Sequence, residues 1–167
     1  IDKNINSTNS NWKFDKNVAK NFNSHVIKSV PFYNISHDLC VSLSEFFLKE
    51  NGRCYDIGCS NGALLSKIKL KNYGKKIDLI GIDNSKPMIS IARNKNKTIK
   101  FKHCNLEKIS FLKSDLILSL YTIQFMKPKY RQSLFNKIYK SLNWGGAFVL
   151  FEKIRGDDAR FQDIMTF

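Results

Sequence analysis

Gly52-Arg-Cys-Tyr-Asp-Ile-Gly-Cys-Ser-Asn-Gly-Ala63 is the stretch on which the fold turns, a short apolar run that breaks into small residues and then becomes helical. It reads as a strand, a tight loop and a helix start. Gly58, Ser60 and Gly62 leave little side chain in the turn, so a ligand is expected to approach the backbone amides at the positive end of the helix. Asp56 closes the strand just before the loop. A second apolar strand, Ile77 to Ile82, ends in Asp83, 25 residues after Gly58, where a doubly wound fold presents an acid to a ribose. Loop and acid together point to an adenosine-containing ligand.

Two kinds of Rossmann-like protein compete for this loop. Gly58-x-Ser60-x-x-Ala63 is a degenerate dinucleotide pattern, weak alone because short glycine patterns recur by chance. Asp56-x-Gly58-x-Ser60-x-Gly62 resembles the acidic glycine-rich loop of S-adenosylmethionine-dependent transferases, in which backbone and acid hold the amino-acid part of the cofactor. The bland alternative is a turn with no ligand, which the pairing of loop and Asp83 disfavours.

At 167 residues and 43% apolar content the chain has the size and composition of one globular domain. Residues 1–13 are expected to be disordered or frayed, and residues 14–167 to form the single domain. The polar, Asn-rich opening lacks the apolar core of a secretory signal. No stretch approaches the roughly 20 apolar residues needed to span a bilayer. Cys40, Cys54, Cys59 and Cys104 show no C-x-x-C spacing, which suits free thiols in a reducing cytoplasm. The formal charge of +14 invites a nucleic-acid reading. Of the 28 basic residues, however, 23 are Lys and 5 are Arg, spread along the chain. A solvated face is the simpler reading, and direct nucleic-acid binding is not expected.

In chain order, Val18, Phe22, Val26 and Val30 recur at helical spacing up to Pro31. A second helix is expected to bury Leu39, Leu43, Phe46 and Phe47 on one face and to close near Gly52. These two helices either cover the sheet edge or form a lid over the ligand, and Phe32 and Tyr33 at their junction are expected to pack in the core. Strand and helix then alternate. Cys54–Ile57 leads to a helix with Leu64, Leu65 and Ile68. Ile77–Ile82 leads to one with Met88, Ile91 and Ala92, capped by Ser85 with Pro87 in its first turn. Ile99, Phe101 and His103 alternate as a third strand, followed by a polar loop with Asn105 and Glu107. Leu116–Leu120 is apolar enough for a central parallel strand. Pro128 starts a helix carrying Leu134, Ile138 and Leu142, ended by Gly145 and Gly146 before a fifth strand, Ala147–Phe151. The fold class is α/β, a Rossmann-like, doubly wound, mostly parallel sheet with two N-terminal lid helices. Phe161, Ile164, Met165 and Phe167 begin a helix without a stop signal, and the chain starts at Ile1 rather than Met. A fragment is expected, lacking C-terminal elements.

Over roughly residues 14 to 160 the likeness narrows. Phe14-Asp15-x-x-Val18-Ala19-x-x-Phe22, Ser29-Val30-Pro31-x-Tyr33, Tyr55-Asp56-Ile57-Gly58-Cys59-Ser60, Ile82-Asp83-Asn84-Ser85-x-Pro87-Met88-Ile89, Thr122-Ile123-Gln124-Phe125 and Glu152-Lys153 together resemble the carboxy-S-adenosylmethionine synthase family. The resemblance implies a cytoplasmic, homodimeric transferase of the methyltransferase superfamily. Its cofactor would be S-adenosylmethionine or its carboxylated form, with prephenate as carboxyl donor and tRNA wobble-uridine modification as the destination. It also implies that Tyr33 reaches the cofactor from the lid, that Gly58, Cys59 and Ser60 line its amino-acid end, that Asp83 accepts the ribose hydroxyls with Asn84 beside it, and that Asn105 and Leu106 contact adenine.

Three departures stand out. The family usually has an acid at Asn105, Asn at Leu120, which ends the fourth strand beside the cofactor, and Pro at Trp144, whose change reads as structural. The Arg that holds the added carboxylate across the family's dimer would lie beyond Phe167. An ordinary small-molecule methyltransferase shares every cofactor residue, a nicotinamide-dependent oxidoreductase fits the degenerate glycine pattern, and an RNA-binding module draws on the charge. Transfer from a sulfonium needs alignment more than acid–base help, so no catalytic dyad is expected. Tyr121, Gln124 and Lys153 are candidates at the ligand-side strand ends. His25, His37 and His103 are too scattered for a metal site, and His103 reads as a strand-end or core residue.

Overall fold

The computed structural model describes residues 26–154, 158 and 160. The first expected helix, most of which precedes residue 26, and the apolar segment after residue 160 lie outside the described residues. The elements that follow are α1 (Tyr33–Phe47), β1 (Arg53–Ile57), α2 (Ala63–Lys71), β2 (Asp78–Asp83), α3 (Lys86–Lys95), β3 (Lys100–His103), β4 (Ser114–Leu120), α4 (Pro128–Ser141) and β5 (Leu142–Phe151). Short 3₁₀ turns lie at Leu106–Lys108 and Ile123–Phe125. The five strands form one parallel sheet in the order β3-β2-β1-β4-β5, with Ile57 opposite Ile82 and Ser119. The central strands are buried on both faces because helices cover both, which is why they read as unbroken apolar runs.

Two cores flank the sheet. Cys54, Leu116 and Leu118 meet Leu64, Leu65, Ile68, Ile89 and Ala92 on one face, under α1, α2 and α3. Tyr55, Ile57, Ile80, Ile82 and Ile117 meet Leu134 and Ile138 of α4 on the other. Alternate residues of a strand point to opposite faces, so the sequence of β1 divides itself between the two cores. Helix α3 starts as expected, with the Ser85 hydroxyl accepting the Met88 N–H at 3.5 Å and Pro87 in its first turn. Ile89 rather than Ile91 is the isoleucine it buries fully.

Helix α1 is turned away from the orientation its apolar spacing predicts. It buries Ser36, His37, Cys40 and Ser44, while Leu39 and Phe46 face outward, Phe46 with 76% of its surface exposed. Small side chains let the helix lie close against α2 and the sheet, and their polarity is met locally. Ser36 and Ser44 donate to Tyr33 O and Val41 O, and Ser44 also accepts from Asn72 Nδ2 at 2.8 Å. A buried hydroxyl with its partner in the same helix costs little. Phe32, expected in the core, is exposed.

A second correction concerns Gly145 and Gly146, which do not end a helix. Helix α4 stops at Ser141, and Leu142 already pairs with Ser114. The ladder then shifts register before Leu116 meets Ala147, and the two glycines lie inside that irregularity, with Gly145 at φ 77°. Extra residues on one strand are what a bulge requires. Trp144, read as structural, projects fully into solvent.

Candidate functional site

Three loops meet at the C-terminal ends of the strands, the edge at which open α/β sheets hold ligands. The first follows β1. Gly58 adopts φ 80°, and a Cβ there would collide with the Thr122 side chain. Only glycine lets the β1 and β4 loops approach this closely. Gly58 and Cys59 both donate their N–H to Ile82 O, at 2.7 and 3.0 Å. Ser60 N–H donates to Asp83 Oδ2 at 2.9 Å, Gly62 N–H to Cys59 O at 2.9 Å, and Ala63 N–H to Asn61 Oδ1 at 3.3 Å. The loop therefore corrects the expectation drawn from its glycines. These amides already have partners within the protein, so the turn is no ready anion cradle, and a pyrophosphate finds few donors here.

What the site offers instead is negative charge. Asp56 is 3% exposed, and no hydrogen-bond donor among the described residues meets its carboxylate. Burial, reinforced by the charge of Asp83, pushes it up to about 7. A buried carboxyl without a donor is costly until a cation arrives. Asp83 is treated differently. Its two oxygens accept from Ser60 N–H and Ser85 N–H, at 2.9 and 2.8 Å. Burial raises its pKa, and those N–H groups and the charge of His103 pull the other way.

Tyr33 stands half-buried at the start of α1, with its ring 4.4 Å from that of His37 and 6.3 Å from that of Tyr121. Burial and the charge of Asp56 push its hydroxyl upward, so it stays a neutral donor, while burial pushes His37 down to about 4, keeping the imidazole neutral. Tyr121, at φ 52°, donates to Pro31 O at 3.4 Å and so ties the β4 loop to the chain before α1. Glu152 organises that loop. Its carboxylate accepts from Thr122 N–H at 3.2 Å, Ile123 N–H at 2.7 Å and Gln124 N–H at 3.1 Å. The sequence held a signal for this, since Glu152 directly follows an apolar strand just as Asp56 and Asp83 end theirs. Gln124 is a clamp as well, its side-chain oxygen accepting Lys153 N–H at 3.0 Å.

The chain's relatives show its family and its fold. The methyltransferase domain family matches residues 54–146. A carboxy-S-adenosyl-L-methionine synthase of Campylobacter lari is 39% identical over 158 residues, covering 92% of this chain and 67% of the relative. That of Staphylococcus epidermidis is 37% identical, with 93% and 69% covered. The chain belongs to the carboxy-S-adenosyl-L-methionine synthase family. It spans about two thirds of the length of these synthases. The fold is also that of a TehB-like S-adenosylmethionine-dependent methyltransferase of Corynebacterium glutamicum, at TM-score 0.65 and 15% identity, with 90% of this chain and 83% of that one covered.

Set against the synthase pattern, the remaining positions divide. Asn105 Oδ1 accepts Glu107 N–H at 3.1 Å and caps the 3₁₀ turn, which leaves its amide group and a second lone pair exposed. Leu106, half-buried, packs against the second core. Leu120 packs against the first, and its carbonyl accepts the Thr122 hydroxyl at 3.0 Å. Asn84 is exposed, and its carbonyl lies 2.9 Å from His103 Nε2. His103 is an exposed strand end. Among the described residues no helix is long and apolar enough to cross a membrane.

Proposed function

We propose that this chain holds S-adenosylmethionine and, with prephenate as carboxyl donor, converts it to carboxy-S-adenosylmethionine, the cofactor form used in wobble-uridine modification of tRNA. The observation that carries the reading is the pairing of a buried, donor-less Asp56 with a loop whose amides are already occupied. Such a mouth suits a cationic amino-acid group and rejects a dinucleotide pyrophosphate.

In this reading Asp56 faces the positive amino-acid end, with Gly58, Cys59 and Ser60 lining it. Asp83 accepts from the ribose hydroxyls, its orientation set in advance by Ser60 and Ser85, and Asn84 stands beside it. Asn105 and Leu106 receive the adenine. Tyr33, packed against His37 and Tyr121, covers the reacting end beside Leu120 and excludes water. In carboxyl transfer the sulfur–carbon bond would stay intact, and the sulfonium acidifies its methyl group. Prephenate would lose carbon dioxide and its ring hydroxide, the hydroxide would take the methyl proton, and the methyl carbon would bond to the carbon dioxide, with the protein aligning the partners. We place the working enzyme in the cytoplasm as a homodimer, which light scattering tests directly.

Incubation of the protein with S-adenosylmethionine, with and without prephenate, followed by mass spectrometry of the sulfonium, decides the reading. Product heavier by one carboxyl group, formed only with prephenate, is expected. Unchanged sulfonium with prephenate, together with demethylated cofactor when small acceptors are added, supports the second reading, an ordinary methyltransferase. Leu120, apolar where the family carries an amide, is the observation that favours it.

A further inference from the structure

A cavity of about 310 Å³ lies outside the loop site, at the open edge of the sheet between α3 and the end of β3. It is lined by Lys86, Ile89, Ser90, Arg93, Asn94 and His103. Three of these six side chains are basic types and none is acidic. Neither Lys86 nor Arg93 takes part in an ion pair among the described residues. Arg93 is held in place, because Nε and Nη2 both donate to Phe101 O, at 3.2 and 2.7 Å, leaving Nη1 for another partner. His103 is likewise oriented by its 2.9 Å contact from Nε2 to Asn84 O. Two of the basic groups are thus fixed by backbone carbonyls, and the third, Lys86, is an exposed ammonium in the first turn of α3.

We propose that this cleft is an anion site that takes a phosphate group. An ammonium, a guanidinium nitrogen, a hydroxyl and an amide supply more donors than the two oxygens of a carboxylate use, and suit the three or four oxygens of a phosphate. Pre-orientation of Arg93 lowers the entropy lost on binding. The volume admits a phosphate with part of the group that carries it. Its lining residues are not those around Asp56, although His103 lies within electrostatic reach of Asp83. The phosphate belongs either to a free monoester or to an RNA backbone; the chemistry at the cleft is shared.

The test is titration of the protein with inorganic phosphate at constant ionic strength, followed by calorimetry, with Lys86→Gln and the control Lys49→Gln. Both lysines are exposed, so neither change threatens the fold. Saturable binding, weakened about tenfold by Lys86→Gln and unaltered by Lys49→Gln, is expected for loss of one charge-assisted partner. Absence of saturable binding, or equal binding by wild type and Lys86→Gln, overturns the site. Glycerol 3-phosphate and a ten-nucleotide RNA then separate the sources. A monoester that binds at least as tightly as the RNA assigns a free phosphate ester. RNA that binds more tightly, with a salt dependence reduced by about one ion on Lys86→Gln, assigns the backbone. RNA binding indifferent to Lys86→Gln counts against the cleft.

Discussion

The neighbouring strands β1 and β2 each present an aspartate at the ligand edge, and the protein handles the two in opposite ways. Asp83 accepts two backbone N–H groups and shapes the loop around it. Asp56 is buried deeper and accepts none from the described residues. One carboxylate is part of the architecture; the other has no internal donor among the described residues, and in the proposed function the ligand supplies its partner. The difference teaches that sequence position at a strand end fixes where an acid stands, while the surrounding donors fix whether it serves the fold or the ligand. Glu152, after β5, is a third case and falls with Asp83, since three N–H groups meet it.

The largest effect on ligand binding is expected at Asp83. Asp83→Ala removes the proposed ribose acceptor and frees the Ser60 and Ser85 amides, and should weaken S-adenosylmethionine by about 1.5 to 3 kcal/mol, the range for hydrogen bonds to a charged group. Isothermal titration reads it, and unchanged affinity would put the ribose assignment wrong.

Next comes pH. Asp56 has a folded value of about 7, above its ordinary 3.8, so the folded protein keeps a proton that the unfolded chain releases. Its contribution to stability is full below pH 3.8 and is lost as pH rises through about 7. His37 works the other way. Its folded value of about 4 lies below 6.5, so its contribution is full above pH 6.5 and is lost as pH falls through about 4. Between those limits the two slopes oppose. Asp56→Asn should remove one and leave the other. Denaturant unfolding from pH 4.5 to 7.5 should then show the variant gaining on wild type as pH rises, by up to about 1.4 kcal/mol per pH unit. Parallel stability curves would refute the assignment.

The smallest change is expected at Glu152. Glu152→Gln keeps one acceptor and loses the charge, so the β4 loop should loosen and stability fall by about 1 kcal/mol. Hydrogen exchange at Thr122, Ile123 and Gln124 should quicken selectively, and protection equal to wild type would place Glu152 outside the loop's support.

The sheet was legible because β1, β2 and β4 are buried on both faces, and double burial leaves an unbroken apolar run for each. Asp56, Asp83 and the glycine loop were legible for the same reason, since each interrupts such a run. Helix α1 was not, because its inward face consists of Ser36, Cys40 and Ser44, which no hydrophobic pattern marks, while its leucines and phenylalanines include the outward ones. The start of β5 was hidden by Gly145 and Gly146, whose usual meaning is an end rather than a bulge. The occupied amides of Gly58, Cys59 and Ser60 were beyond the sequence too, because their partners, Ile82 O and the Asp83 carboxylate, belong to another strand.

The contrast between the two aspartates is tested most directly by counting protons. S-adenosylmethionine is titrated into wild type and Asp56→Asn at pH 7, in buffers of different ionisation enthalpy. A cation that settles beside Asp56 must ionise it, so wild type should release about half a proton per bound ligand, and the variant none, for a group that titrates near that pH. Binding without proton release, or the same release from Asp56→Asn, would contradict a buried acid waiting for its ligand.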